Sequence, residues 1–479
     1  MRVSRRLGLC FVAVLALSGA AGTAGADEPV AAREPGMMSE TAEITSVADA
    51  FDGNDPFDLN LVIGVSQSWK QAKIRRESQL PQNGLEGAPG SQAGFIPATE
   101  NIASYSSSMS VLNLGADVGI YHDLALILRV PVILSWSQKL GDLNGSSAVA
   151  PQILADPSGG QLFSVPSQSP TRSGVDYIAG GLDWAIFNQQ RDLTKPTWVI
   201  GIEGRLAVGA PLHACQVVNG SNFCPNPDGT PGNRDPGISK GFNSVIGKTV
   251  WSRRFGYVEP YSGFWVQADF ANGNSSDFAK WNVTQDLDRL PPLQGSFVMG
   301  IEAIPYESRE DFQRLSADFR FKGTYHSPGR DYSELFDALG ASQATSLRTP
   351  NPSSYTMGPA GKSIVDPNAE NVFFTGVTEV AAYGSFTLSA SATYQIGEYI
   401  KLSVGGGFTY AQSHLITASD VCTPNNSATL GTAGPCVTNG VIQGVPNPDH
   451  RDILDLPGHR FSVDDTTIVD LYAMGIVMF

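Results

Sequence analysis

This sequence is short of the groups that usually carry chemistry. Its 479 residues include six histidines and five cysteines. His122, His213, His326, His414, His450 and His459 are scattered, and none sits in a nucleophile elbow or similar signature. Only His326 and His414 fall at predicted outer strand ends, where a hydrolase site would have to form. Gly405-Gly406-Gly407 lacks the strand-to-helix setting of a phosphate loop. The Asp-rich stretches 52–55 and 228–235 lack EF-hand spacing. No catalytic residue, metal or cofactor is therefore expected. Positive charge is also scarce: 31 Lys and Arg face 46 Asp and Glu, a formal charge of −15. Such a chain repels polyanions, which excludes nucleic acid as a partner. There is no interdomain linker and, beyond residue 26, no apolar run near the roughly 20 residues of a membrane-spanning helix.

What is present begins with an export signal. Arg2, Arg5 and Arg6 precede an apolar run from Leu7 to Leu17, and Ala24-Gly25-Ala26 offers a small-x-small cleavage site before Asp27. This is the layout of a signal peptide over 1–26. The run is too short for an anchor, and Cys10 lies too early for a lipoprotein box. Removing three arginines and no acid takes the formal charge from −15 to −18. An exported chain without apolar helices can enter a membrane only as a closed barrel, which satisfies its backbone between strands. The four remaining cysteines form two close pairs in Asn/Pro/Gly-rich loops, Cys215 with Cys224 and Cys422 with Cys436. They read as two local disulfides, each worth about 3 kcal/mol on the loop-entropy model, although four cysteines allow three pairings. A metal site from His213, Cys215 and Cys224 is the alternative.

A period of two runs through the chain. In 124–136 the even positions are Leu, Leu, Leu, Val, Val, Leu and Trp, while Arg129 lies on the odd face. In 315–325 one face is apolar and the other carries Ser316, Asp318, Arg320, Lys322 and Thr324. Charges are rare inside packed cores, whereas an apolar outside with a polar inside is what a membrane barrel requires. Strands are expected at 58–74, 104–120, 124–138, 175–188, 196–210, 240–253, 257–270, 295–304, 314–326, 377–396, 400–415 and 461–479. Long connections (75–103, 139–174, 211–239, 271–294, 327–376, 416–460) alternate with short ones, as outer loops and periplasmic turns do. The fold class is therefore all-β: a transmembrane antiparallel up-and-down barrel of about twelve strands, with ten or fourteen as alternatives, spanning 58–479. Residues 27–57 precede it as a periplasmic segment or a plug. Trp69, Tyr121, Trp136, Trp184, Trp198, Trp251, Tyr257, Trp265, Tyr325, Tyr394, Tyr399 and Tyr410 lie near strand ends, as interfacial girdles would. Asp331 to Glu334 has capping-box spacing before Leu335, Phe336 and Leu339, which predicts a helical turn that packs its own loop or constricts the pore.

Two stretches resemble a known family. "LGADVGIYHDLALILRVPVILS" (114–135) and "SGVDYIAGGLDWAIFNQQ" (173–190) are similar to consecutive hairpins of outer-membrane barrels grouped with the meta-pathway phenol-degradation proteins. The resemblance covers roughly residues 105–210 and implies a channel for small, often hydrophobic compounds. Phe479, closing a stripe of alternating apolar residues, also resembles the signal read by the barrel-assembly machinery.

Parity assigns Asp117, Arg129, Asp183, Glu203, Arg205, Glu259, Asp318, Arg320, Lys322 and Lys401 to the lumen lining. Glu203 with Arg205, and Asp318 with Arg320 and Lys322, have the spacing of transverse salt-bridge ladders. The expected function is an outer-membrane channel for passive passage of small solutes, hydrophobic ones included. The alternative is a closed structural or surface-interaction barrel whose loops bind a partner. Its expected surroundings are outer-membrane lipid and lipopolysaccharide, the assembly machinery and a small-molecule solute, with the protein monomeric.

Overall fold

The computed structural model describes residues 42–479 apart from 51–57, 82–94, 233, 273–277, 279–289, 309, 359–362, 425–436, 439–440 and 443. The expected signal peptide, most of the segment 27–57 and the Cys422–Cys436 pairing lie outside the described residues or side chains.

Twelve long strands build the molecule. They are β1 (Leu59–Pro81), β2 (Phe95–Tyr121), β3 (Leu124–Gly141), β4 (Tyr177–Phe187), β5 (Thr197–Ala207), β6 (Phe242–Ser252), β7 (Val258–Ala271), β8 (Gln294–Ser308), β9 (Gln313–His326), β10 (Tyr383–Ile396), β11 (Ile400–Ala411) and β12 (Phe461–Met478). Each pairs antiparallel with its chain neighbour, and β12 returns to β1 with Asn60 opposite Met478. Closure leaves no open edge, so every strand finds partners on both sides. Phe479 completes the seam: its amide donates to the Leu59 carbonyl at 3.0 Å and its carbonyl accepts from the Leu59 amide at 3.1 Å.

The alternation read from the sequence sets the two faces of this wall. Ile63, Val65, Leu128, Leu182, Ile202, Phe319, Leu388, Val404 and Leu471 are all exposed on the outside. Water would not tolerate a continuous belt of this kind; hydrocarbon solvates it. Tyr121, Trp184, Tyr257 and Tyr399 stand exposed near the short-turn rim, and Trp69, Tyr325 and Tyr410 at the other border. Trp69 is ten residues into β1. At about 3.3 Å per residue and a tilt near 40°, that is a band about 25 Å tall.

Two tryptophans leave the expected girdle. A bulge lies where β2 passes from Ser110, opposite Ser135, to Val111, opposite Ile133, leaving Leu134 unpaired. One extra residue inverts the facing of everything beyond it. Trp136 consequently turns inward and its indole donates to Ser107 Oγ at 3.1 Å. Trp265 shares the parity of Glu259 and Gln267 and also points into the barrel.

β1 and β2 run past the apolar band, further than expected at their outer ends, and their inner faces there change from polar to apolar. Ala72, Ile74, Ile102, Ala103 and Tyr105 join loop residues Leu154, Leu162, Phe163, Leu335, Leu339, Leu347, Ile416 and Leu454 in one buried cluster. The described parts of three long loops (142–176, 327–382 and 412–460) thus fold over the long-loop mouth as a cap with its own core. Each fully buried Leu or Phe contributes roughly 1.5–3 kcal/mol. The predicted helical turn forms at Phe336–Gly340, but without a side-chain cap. Glu334, expected to close a capping box, instead pairs with Lys70 at 2.5 Å.

Candidate functional site: the barrel interior

The barrel interior has three levels. At the short-turn rim, residues 42–50 lie inside the wall. Glu43 pairs with Lys401 at 3.2 Å, and its amide donates to Glu302 at 3.0 Å. Thr45 Oγ1 is 2.8 Å from Ser252 Oγ, and the Ala50 amide donates to the His122 carbonyl at 3.0 Å. Ala42 packs on Tyr261 and Val298. Gly119 is what lets the segment come so close, since any Cβ there would collide with the Asp49 backbone.

The middle level holds most of the charges assigned to the lumen. Arg129 grips Asp117 with two hydrogen bonds, of 2.5 and 3.0 Å. Lys248 meets Asp183 at 2.6 Å, and Arg205 Nε meets Glu203 at 2.7 Å. Gly201 makes room for the Lys248 pair, because a Cβ there would strike both partners. Arg320 contacts Asp318 at 2.9 Å, while the Tyr261 hydroxyl donates to Asp318 at 2.5 Å and accepts from Arg320 Nε at 2.9 Å. Arg314 pairs with Glu302 at 3.2 Å.

Two of the assigned residues behave otherwise. Glu259 is fully buried, and both its carboxylate oxygens lack a hydrogen-bond partner among the described residues. Lys322 does not join the expected ladder with Asp318. No carboxylate lies within pairing distance of it among the described residues, and its charged neighbours are Arg320 and Arg205. The reason is geometric: Asp318 lies four strand positions closer to the turn end than Lys322 and already accepts from Arg320 and from Tyr261, which stands level with Arg320. Lys322 instead faces a cavity of about 250 Å³ whose walls include Arg205, Lys248, Asp183, Glu203, Trp265 and Gln294.

The upper level is the cap. Its strongest fastening is Arg172 to Asp337, two hydrogen bonds of 2.9 and 2.7 Å with both side chains buried. The Cys215 amide also donates to Asp337 at 2.9 Å. Cys215 and Cys224 are disulfide-bonded, which removes both thiolates from the alternative metal site; His213 contacts Arg234 instead. Burial pushes the Asp455 carboxyl up to about 6, with His450 3.9 Å away, and lowers the Arg451 guanidinium to about 10. Burial opposes ionisation of Glu334 too, but the Lys70 ammonium outweighs it and holds the carboxyl below its usual range. Outside this core, a second hollow of about 670 Å³ opens between Asp156, Tyr355, Asn447, His450 and His459.

His326 and His414 are brought together, but by stacking. They sandwich the Tyr383 ring at 4.3 and 3.9 Å, with planes within 8°. Ser385 Oγ is 3.4 Å from His326, and no carboxylate contacts either ring among the described residues. A serine hydrolase needs a third group to orient the base.

Of these features, sequence reasoning missed the structural roles of Glu43, Tyr261, Trp265 and Arg314. Trp265, Tyr261 and Arg314 were legible from parity, since they share the faces of Glu259 and of Asp318; Glu43, outside the strands, gave no signal.

No family model and no curated protein matches the sequence. Solved structures align over most of their length but with little similarity. A FadL homologue from Pseudomonas aeruginosa is 8% identical, covering 87% of this chain and 90% of its own, at a TM-score of 0.32. The TodX monoaromatic hydrocarbon channel is 8% identical (90% and 96% covered, TM-score 0.31). The outer-membrane protease OmpT from Escherichia coli is 7% identical (88% and 97% covered, TM-score 0.27). Similarity this low carries no argument about fold or function, and the resemblance of the two hairpins stays a local one.

Proposed function

We propose that this chain is an outer-membrane channel for small solutes, held shut at both ends. The observation that carries the reading is a polar cavity, lined by ion pairs, inside a wall whose outer face is an apolar belt. A barrel that served only as an anchor has no use for internal charges, which are expensive to bury. On this reading the short-turn rim is periplasmic, residues 42–50 are the inner stop and the loop cap is the outer one. The charges assigned to the lumen line the path, lipid and lipopolysaccharide surround the belt, the assembly machinery engages the strand ending in Phe479, and the protein works as a monomer without catalysis.

The test is conductance in planar bilayers. Wild-type protein should open rarely, and deletion of 27–57 should raise the frequency of discrete openings. The second reading, a surface-interaction barrel, draws its support from the open hollow of about 670 Å³ in the cap. It would be preferred if neither wild type nor deletion variant conducts.

A further inference from the structure

We infer that the central cavity is a binding site for a small monocarboxylate with an apolar body, anchored by Lys322. The inference rests on the channel reading for its purpose, but not for its geometry. Three cations, Arg205, Lys248 and Lys322, face the cavity against two carboxylates, Asp183 and Glu203. Lys248 and the Arg205 Nε neutralise both carboxylates. What remains, among the described residues, is the Lys322 ammonium, with like charges on Arg205 and Arg320 for neighbours. An ammonium that faces the cavity beside two like charges, with no carboxylate of the described residues paired to it, is placed to take an anion as its counter-ion.

The rest of the wall narrows the class. Gln294 and Ser296 add hydrogen-bonding groups beside Lys322, while Trp265, Ile127 and Ile246 give an apolar side. A carboxylate would turn its oxygens to Lys322 and Arg205 and its body to the indole. A volume of about 250 Å³ falls below the roughly 300–1,000 Å³ of drug-sized sites, which limits the guest to about ten heavy atoms. A dicarboxylate would bring its second charge against Asp183 and Glu203.

Benzoate is the probe, and benzyl alcohol its neutral counterpart of similar shape. Binding to the purified full-length protein in detergent, followed by calorimetry after long equilibration, needs no conduction. Benzoate should bind and benzyl alcohol should not. Lys322→Gln should weaken benzoate roughly tenfold or more, as expected for losing a charge-assisted contact, and Lys322→Arg should restore most of the affinity. Heat-modifiable migration of each variant checks that the barrel has folded. No benzoate binding by the wild type, or equal binding by Lys322→Gln, overturns the site. Conductance on the same preparation separates the two claims. Openings without benzoate affinity defeat the site and leave the channel; benzoate affinity without openings does the reverse.

Discussion

The lower lumen and the cap solve the same problem in opposite ways. Both fill the inside of one barrel, and both hang from the same strands. The lower lumen is filled by charges that neutralise one another across and along strands: Asp117 with Arg129, Asp183 with Lys248, Asp318 with Arg320. The cap is filled by Leu, Ile and Phe side chains from three loops, with a few ion pairs buried among them. On β1 the change happens within a few residues, from Ser66, Ser68 and Lys70 to Ala72 and Ile74. A polar lumen can rehydrate if its stops move, whereas the cap has to unpack. The inner stop, whose described contacts are two ion pairs (Glu43 with Lys401, Asp49 with Arg191) and a few hydrogen bonds, is therefore the easier end to open.

The comparison breaks first at Asp337. Asp337→Ala leaves Arg172 buried without its partner and should destabilise the cap by about 3–5 kcal/mol. Urea unfolding and protease cleavage of loop 327–382 would report it. If the cap resists cleavage as well as wild type does, the ion pair is not its fastening. Next comes the wall. Phe319 is 56% exposed on the outer face, and Phe319→Arg should cost about 2–4 kcal/mol near the bilayer midplane. Arg320→Ala, one residue along, removes the partner of Asp318 and Tyr261 and should cost about 1–3 kcal/mol. Sequence parity alone would have made Arg320 expendable. Refolding into lipid vesicles separates the two: a larger effect at 320 than at 319 would reverse the assigned faces.

Smaller effects sharpen the contrast. Lys401→Met should loosen residues 42–50 by about 1–2 kcal/mol, and more frequent bilayer openings would reveal it. An unchanged opening frequency would mean that the Glu43 contact does not hold the stop. The smallest effect is on pH. The folded-state pKa of Asp455 is raised to about 6 by burial, so its contribution is present at low pH and lost as pH rises through that value. Cap stability should fall by on the order of 1 kcal/mol between pH 5 and pH 7.5. Arg451 and His450 face the same carboxyl, so Asp455→Asn is the control and should flatten the profile. Glu334, whose carboxyl is held below its usual range by Lys70, loses its contribution only at lower pH.

Much of this was legible beforehand. Alternating residues in β3, β9 and β10 and the strict alternation of loop lengths pointed to a closed barrel of twelve strands, because a pleated strand can put only every second side chain on one face. The Cys215–Cys224 bridge was legible from its spacing in a chain read as exported. Less visible were the strand extensions of β1 and β2 and the inward turn of Trp136, since a single unpaired residue inverts parity without any mark in the composition.

Local pattern thus decided which face of each strand meets hydrocarbon, how many strands close and which charges lie inside, for these follow from side-chain direction along one strand. Which of those charges are neutralised, and that Lys322 finds no carboxylate among the described residues, depended on the register between strands. The closing of one mouth by residues 42–50 and of the other by three loops depended on contacts between segments hundreds of residues apart. Nothing in a strand's own periodicity encodes what comes to rest against its inner face.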